Sequence, residues 1–222
     1  MTSGAPSAHP RLPVGTPFRT NRFLQALVAI YALLWSALGV APVSRQTWVL
    51  ENGLVFALVG VLVATHRRFV FSNLSYALIF VFLLLHAVGS HYTYSAVPAG
   101  TWAQEAFGWT RNHYDRFVHF AFGLLLGYPL RELSLRAAHV HARWSFVVPV
   151  LAVLALSSCY EILESWAARI VDPDVGIAFV GAQGDPWDGQ KDMSLALLGT
   201  LLALGAAEWR RRRTGHEPYL QP

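Results

Sequence analysis

Six apolar stretches of roughly membrane-spanning length divide this chain of 222 residues and leave room for little else. They cover about 23–43, 47–64, 69–90, 113–133, 144–165 and 187–209, with proline and glycine punctuating their ends. A helix needs roughly 20 mostly apolar residues to cross a bilayer, so each stretch is predicted to be one span. Composition agrees. Hydrophobic residues make up 54% and charged residues only 14%, against about a quarter charged in soluble domains. The predicted fold is an all-α, polytopic membrane protein, a bundle of about six transmembrane helices. No internal repeat and no linker between domains is visible. The single Cys159 excludes an intramolecular disulfide and a cysteine-based zinc site.

Three regions follow. Residues 1–21 form a polar tail rich in Pro, Ser, Gly and Thr, 22–210 the membrane domain and 211–222 a basic tail. The first tail lacks the apolar core of a cleavable signal and is expected not to be one. On the side that carries the N-terminal tail stand Arg11, Arg19, Arg22, Arg67, Arg68, Arg131, Arg136, Arg143 and Arg210 to Arg213, twelve in all. Arg45, Arg111, Arg116, Arg169 and Lys191 stand on the other. Basic residues favour the cytoplasmic side, so both termini are predicted to be cytoplasmic in a bacterial inner membrane. The run "RRRR" at 210–213 reads as an anchor near anionic lipid. Membrane lipids are the expected surroundings, and nucleic-acid binding is not expected.

With that topology the polar residues gather at one level, the outer third of the membrane. His86 and His91 end the third span, Asp115 and His119 begin the fourth, Glu161 and Glu164 end the fifth, and Asp185, Asp188 and Asp192 begin the sixth. Seven of the thirteen acids lie between Glu161 and Asp192. The uninterrupted apolar parts of the last three spans, such as "FGLLLGYPL", are short. Each must include its charged outer turn to reach about 20 residues. Ionisable groups at that depth mark a functional site by default.

Structural explanations compete for some of these acids. Asn112 could cap the fourth span with Asp115 three residues on. Asp185 could cap the sixth, with Pro186 at the first helical position and Asp188 at the third. Capping does not reach one turn further. His119 follows Asp115 by four residues and Asp192 follows Asp188 by four, so each pair shares a helix face. The stripe Asp115, His119, Gly123, Gly127 continues along the fourth span, and "GLLLG" is a small-xxx-small contact that turns this face toward the bundle. Glu161 and Glu164 share a face near a helix C-terminus, where the dipole disfavours anions. They need a bound cation, a retained proton, or pairing with Arg116, Arg169 or Lys191.

His and carboxylates at these spacings on packed helices suit a metal or a proton relay, although no standard metal motif is matched. The candidate catalytic set is His119, Glu161, Glu164, Asp192 and Asp115. The candidate metal ligands are His119, Glu161, Glu164, Asp188 and Asp192, with His91 a further one and a divalent metal as the cofactor. Ser157 and Cys159 have no base partner and read as packing residues. Trp102, Phe107 and Trp109 in the outer loop read as an interfacial aromatic belt.

"HYTYSAVP" (91–98), "NHYDRFVHFAFG" (112–123), "YEILESWAA" (160–168) and "GAQGDPWDGQKDMSLALLG" (181–199), taken in order, resemble the YjdF-type bacterial inner-membrane proteins. The match covers nearly the whole membrane region. It implies membership and a six-helix fold and supplies no reaction. "DRFVHF", the acids of the fifth span and the late aspartates are more weakly similar to the layout of VanZ-like membrane proteins. This chain has "EILE" and "DPWDGQKD" where those carry Glu-Leu-x-Gln and an arginine motif.

Three functions fit these residues. The first is an outward-facing His/carboxylate enzyme acting on a lipid or envelope precursor, with or without a metal. The second is a proton- or cation-coupled transporter, for which polar groups on one side only are unfavourable. Pro149 is the obvious mid-span breaker. The third is a structural partner in envelope assembly.

Overall fold

The computed structural model describes residues 15–171 and 173–215. Eight helices form among them and no strand does: α1 (Arg22–Val40), α2 (Arg45–Thr65), α3 (Asn73–Tyr92), α4 (Pro98–Phe107), α5 (Tyr114–Arg136), α6 (Trp144–Ile170), α7 (Pro173–Val180) and α8 (Asp188–Thr214). The six long helices correspond to the six apolar stretches. The short helices α4 and α7 fold within the two long connections that sequence reading leaves irregular. Local chemistry sets the boundaries. Asn21, Ser44 and Ser72 cap α1, α2 and α3 by accepting the Leu24, Thr47 and Ser75 amides. Pro98 opens α4, and Gly108 closes it at φ 65°.

The long helices traverse the bundle in alternating directions. At one end Asn21 donates to Asn73 at the start of α3 (2.7 Å), and Glu132 near the end of α5 accepts from Ser72 N and Oγ (2.8 and 2.7 Å). At the other end the Val43 amide, between α1 and α2, donates to the His91 carbonyl at the end of α3 (2.9 Å). There too Arg111, just before α5, reaches Asp188 at the start of α8.

Five long helices, all but α5, are apolar and long enough to cross a membrane. The exception is informative. Helix α5 has 23 residues, about 35 Å of rise, and it runs from one end of the bundle to the other. It carries Asp115, Arg116, His119, Arg131, Glu132 and Arg136. It can do so because α3, α6 and α8 surround it. Polar groups within a span face protein rather than lipid.

The contact of α5 with α8 rests on glycine. The two helices run parallel, and Gly123 and Gly199 face each other's backbones. A Cβ on Gly123 would overlap the Ala196 carbonyl, and one on Gly199 would overlap the Phe120 carbonyl. Gly127 lies against Thr200 and Ala203. The small-xxx-small reading of "GLLLG" is thus right, and its partner is α8. Close approach here brings the first turns of α5 and α8 within side-chain reach.

Far from those turns, Glu132 is fully buried. It takes hydrogen bonds from Ser72 and Ser75 (2.5 Å from Ser75 Oγ) and pairs with Arg136. Arg136 also donates to the Val70 carbonyl (2.9 Å). These contacts tie α5 to the α2–α3 connection.

Several boundaries differ from the sequence reading. The stretch ahead of α1 docks from Gly15 onward: Gly15 packs against Val70 and Phe71, and the Phe18 amide donates to His66 Nε2 (3.1 Å). Residues 15–21 of the tail as read from sequence thus pack on the bundle, and residues 1–14 lie outside the described residues. Helix α8 runs on through the arginine run to Thr214, so the basic segment begins as helix. Residues 216–222 lie outside the described residues. Helix α6 ends at Ile170, placing Glu161 and Glu164 in its body rather than at its tip. Pro149 is the sixth residue of α6 and does not break the middle of a span.

Candidate functional site

The first turns of α5 and α8 and the late turns of α6 meet at the end of the bundle where α7 packs on α6. Two layers of charge result.

The outer layer is a closed salt network. Arg111 donates to Asp188 (2.5 Å) and to the carbonyls of Ala182 and Gly181 (3.1 and 3.4 Å). Arg116 donates to Asp185 (2.5 Å) and Asp188 (3.0 Å), and Lys191 to Asp185 (2.5 Å). The Lys191 hydrogen bond, then the Trp187 amide, and also Arg116, hold the Asp185 carboxyl well below its ordinary range. Burial, then Arg116 and Arg111, push the neighbouring His113 imidazole down. The capping roles do not form as read. His113 and Trp187 occupy the cap positions of α5 and α8, neither with a side-chain cap. Asn112 accepts from the Tyr114 amide (3.0 Å), and Asp185 accepts from the Trp187 amide (3.0 Å). Both are local turns ahead of the helix. Asp188 is the first residue of α8 rather than the third.

The inner layer is different in kind. Asp115, His119 and Asp192 each offer one ligand atom, and these lie within 4.8 Å of one another; all three residues are buried. His119 Nε2 is 3.7 Å from Asp115 Oδ1 and 3.4 Å from Glu161 Oε1. Glu161 reaches this point because Gly189 stands beside it. A Cβ there would come within 2.6 Å of Glu161 Oε2. One step further, Tyr160 donates to Glu51 on α2 (2.8 Å), and Glu164, four residues on along α6, is also buried. Three carboxyls, those of Asp115, Glu161 and Asp192, thus stand around one imidazole, with Glu51 and Glu164 beyond them on α2 and α6. Among the described residues no arginine or lysine pairs with any of them. Two of their buried oxygens, Asp192 Oδ1 and Glu161 Oε1, have no hydrogen-bond partner. A buried polar atom without a partner is costly, and several carboxylates gathered without a cation repel.

The residues read from sequence therefore divide. Asp115, His119, Glu161 and Asp192 come together, with Glu164 buried on the next turn of α6. Asp188 does not join them, because Arg111 and Arg116 hold it. His91 is remote, its Nδ1 2.7 Å from the Leu38 carbonyl at the α1 side of the bundle. Neither Arg116 nor Lys191 neutralises the Glu161/Glu164 pair, and Arg169 is exposed. Lys191 does neutralise Asp185.

Sequence reasoning missed four participants. Glu51 is a lone acid inside an apolar run, a signal of function in itself. Tyr160 directly precedes Glu161. His86 was read only as a marker of the third span's end. It accepts from Tyr94 at Nδ1 (2.6 Å) and lies 3.2 Å from the Glu51 carbonyl through Nε2. Tyr94 re-enters the bundle because it and Thr93 both take positive φ (50° and 62°).

A cavity of about 420 Å³ opens below the cluster. His86, Tyr94, Asp115, His119 and Tyr160 line one part of it, and apolar side chains of α2, α3, α5 and α6 line the rest.

A helical bundle with five long apolar helices, plus a sixth shielded within it, defines the class: a multi-pass membrane protein. Residues 23–213 match the family model described as "Predicted membrane protein (DUF2238)". The chain is also 38% identical to the inner membrane protein YjdF of Escherichia coli (strain K12) over 183 residues, covering 82% of this chain and 84% of that protein. The chain belongs to this YjdF-like DUF2238 family and is a multi-pass protein of the inner membrane. No solved structure matches it. The VanZ-like similarity rests on motif layout alone.

Proposed function

We propose that the chain is a divalent-metal-dependent membrane enzyme whose His/carboxylate centre acts on a lipid or envelope precursor from the periplasmic side. The observation that carries this reading is Asp192. It is 1% exposed, its Oδ1 has no partner, and it faces His119 and Asp115 within ligand distance. A cation held by Asp115, His119 and Asp192, with Glu161 beside it, would give that oxygen a partner and offset the excess of carboxyls. The donor set, one imidazole with carboxylate oxygens, suits Zn²⁺ or Mn²⁺. Such a cation would acidify water or polarise an ester or phosphoryl oxygen.

The chain's own groups have distinct roles in this reading. Asp115, His119 and Asp192 are ligands. Glu161, with an unpartnered oxygen 3.4 Å from His119, is placed to take a proton from incoming water. Tyr160 and Glu164 support it from α6. The Arg111–Asp188–Arg116–Asp185–Lys191 network fixes α8 against α5 and shields the centre from bulk water. The distribution of arginines supports a periplasmic position for this end of the bundle.

Transport is the weaker reading. Alternating access expects a site near the midplane, often on broken helices. This cluster sits at one end, on helices that run on uninterrupted.

The test is metal content of the purified protein together with its His119→Ala and Asp192→Asn variants, at matched folding. Near-stoichiometric Zn or Mn in the wild type that is lost from both variants supports the reading. A metal-free wild type that binds neither ion at micromolar concentration overturns it.

A further inference from the structure

The geometry points to a lipid binding site: the cavity below the cluster admits one hydrocarbon chain of a membrane lipid sideways through the gap between α2 and α6.

The gap follows from the packing. Helix α2 packs on α3 and lightly on α7, and α6 packs on α5, α7 and α8. Between α2 and α6 the cavity takes the place of a helix–helix face. Tyr160 and Glu51 bridge the two helices at the cluster end only. The rims of the gap are apolar and face outward: Leu54 and Val61 on α2, Leu156 and Leu163 on α6. The back wall is buried and includes Leu83 on α3 and Leu126 on α5. Helix α5 itself screens this wall from α8.

Length selects the occupant. Along α5 the lining runs from Asp115 to Leu126, eleven steps along the helix and about 16 Å of rise. That is about half of the roughly 30 Å hydrocarbon core, the depth of a single leaflet. Most of the polar lining lies at the cluster end, Ser157 and Cys159 on α6 add one hydroxyl and one thiol, and the rest is apolar. Apart from the Ser157 hydroxyl, water has no partners along such a wall, and a void there forfeits dispersion contacts. An acyl or prenyl chain satisfies both conditions. Lying along α5, it carries its ester or phosphoryl linkage to the level of His119 and Glu161. The volume falls within the roughly 300–1,000 Å³ of ligand pockets. The inference rests on the reading of the cluster as a reaction centre only in assigning which end of the lipid meets it.

The test uses the full chain in nanodiscs doped with a phosphatidylglycerol that carries a diazirine midway along one acyl chain. Adducts are mapped by peptide mass spectrometry. Labelling of buried Leu126 and Leu83 is expected, alongside Leu33 on the outer face of α1. Leu58→Trp and Leu156→Trp narrow the gap and are expected to reduce labelling at Leu126 at least fivefold while leaving Leu33 unchanged. Should those variants not fold, the wild-type map alone decides. Adducts confined to outward faces such as Leu33 overturn the proposal. Divalent-cation binding measured on the same wild-type sample separates the two readings. Labelled Leu126 without cation binding overturns the metal centre and leaves the chain site standing. Bound cation with an unlabelled Leu126 does the reverse.

Discussion

His119 Nε2 stands 3.4 Å from Glu161 Oε1 across the seam between α5 and α6, and that oxygen of Glu161 has no other polar partner. An imidazole and a carboxylate so placed, with Asp115 and Asp192 close by, are the donor set on which the proposed metal centre rests. The outer salt network makes the contrast. There Asp185 and Asp188 each have an arginine or lysine partner, while among the described residues no acid of the inner cluster pairs with one.

The cluster separates metal binding from folding. Glu161→Gln keeps the shape of the side chain and removes its charge. Its expected result is a wild-type melting curve with divalent-cation affinity lowered about 10–100-fold, the size of effect that groups around a metal exert. Isothermal titration with Mn²⁺ or Zn²⁺ on the purified protein measures it. Unchanged affinity would remove Glu161 from the centre.

Glu132 is the matching control at the opposite end of α5. Glu132→Ala takes the carboxylate away from Ser72, Ser75 and Arg136 and leaves buried polar groups behind. Loss of one member of a buried pair costs about 3–5 kcal/mol. Denaturant unfolding in mild detergent should show that loss, and any protein that remains folded should bind metal like wild type.

The α5–α8 contact does not tolerate a side chain. Gly123→Val forces a branched group onto the Ala196 carbonyl. Overpacking typically costs about 1–3 kcal/mol, and a backbone obstacle yields less readily than a side chain. Lower thermal stability together with weakened metal binding is expected, because the same contact brings Asp192 to His119. Gly205→Val, whose Cβ would meet nothing within 4 Å, should leave both unchanged.

Much of this was legible in the sequence, for identifiable reasons. Five of the long helices follow from hydropathy, the charged α5 from its place between them, and the Asp115–His119–Gly123–Gly127 face follows from helical period, which one glance at "DRFVHFAFGLLLG" supplies. What the sequence left open was partner choice among many like groups. Asp188 and Asp192 are equivalent in "DGQKD" until Arg111 and Arg116 claim the first and leave the second. Glu51 escaped because it belongs to the second span, whose neighbours in sequence carry no polar motif. Only the fold brings it to Tyr160. The helices α4 and α7 lie in connections whose polar and apolar residues show no sustained period.

Acid should act on the outer network in one defined way. Lys191 and Arg116 depress the folded Asp185 pKa, so its contribution is present above the ordinary aspartate value near 4. It disappears as pH falls through the lower folded value. The melting temperature of wild type minus that of Asp185→Asn should therefore be positive and flat from pH 7 to about pH 4 and shrink below it. A difference that grows as pH falls would contradict the assignment.

Tyr160→Phe removes the one hydroxyl that joins α6 to Glu51 on α2. Leaving a buried carboxyl without that donor costs about 1–3 kcal/mol. Chemical denaturation read by tryptophan fluorescence checks it, and an unchanged midpoint would mean that the bridge contributes nothing to stability.

The most direct measurement is anomalous scattering from crystals of the full chain grown with Mn²⁺, collected on both sides of the manganese edge. The account predicts a single manganese peak within bonding distance of Asp115, His119 and Asp192, absent from His119→Ala crystals. Ordered side chains at that position with no anomalous peak, the carboxyls instead hydrogen-bonded to one another or to water, would contradict it.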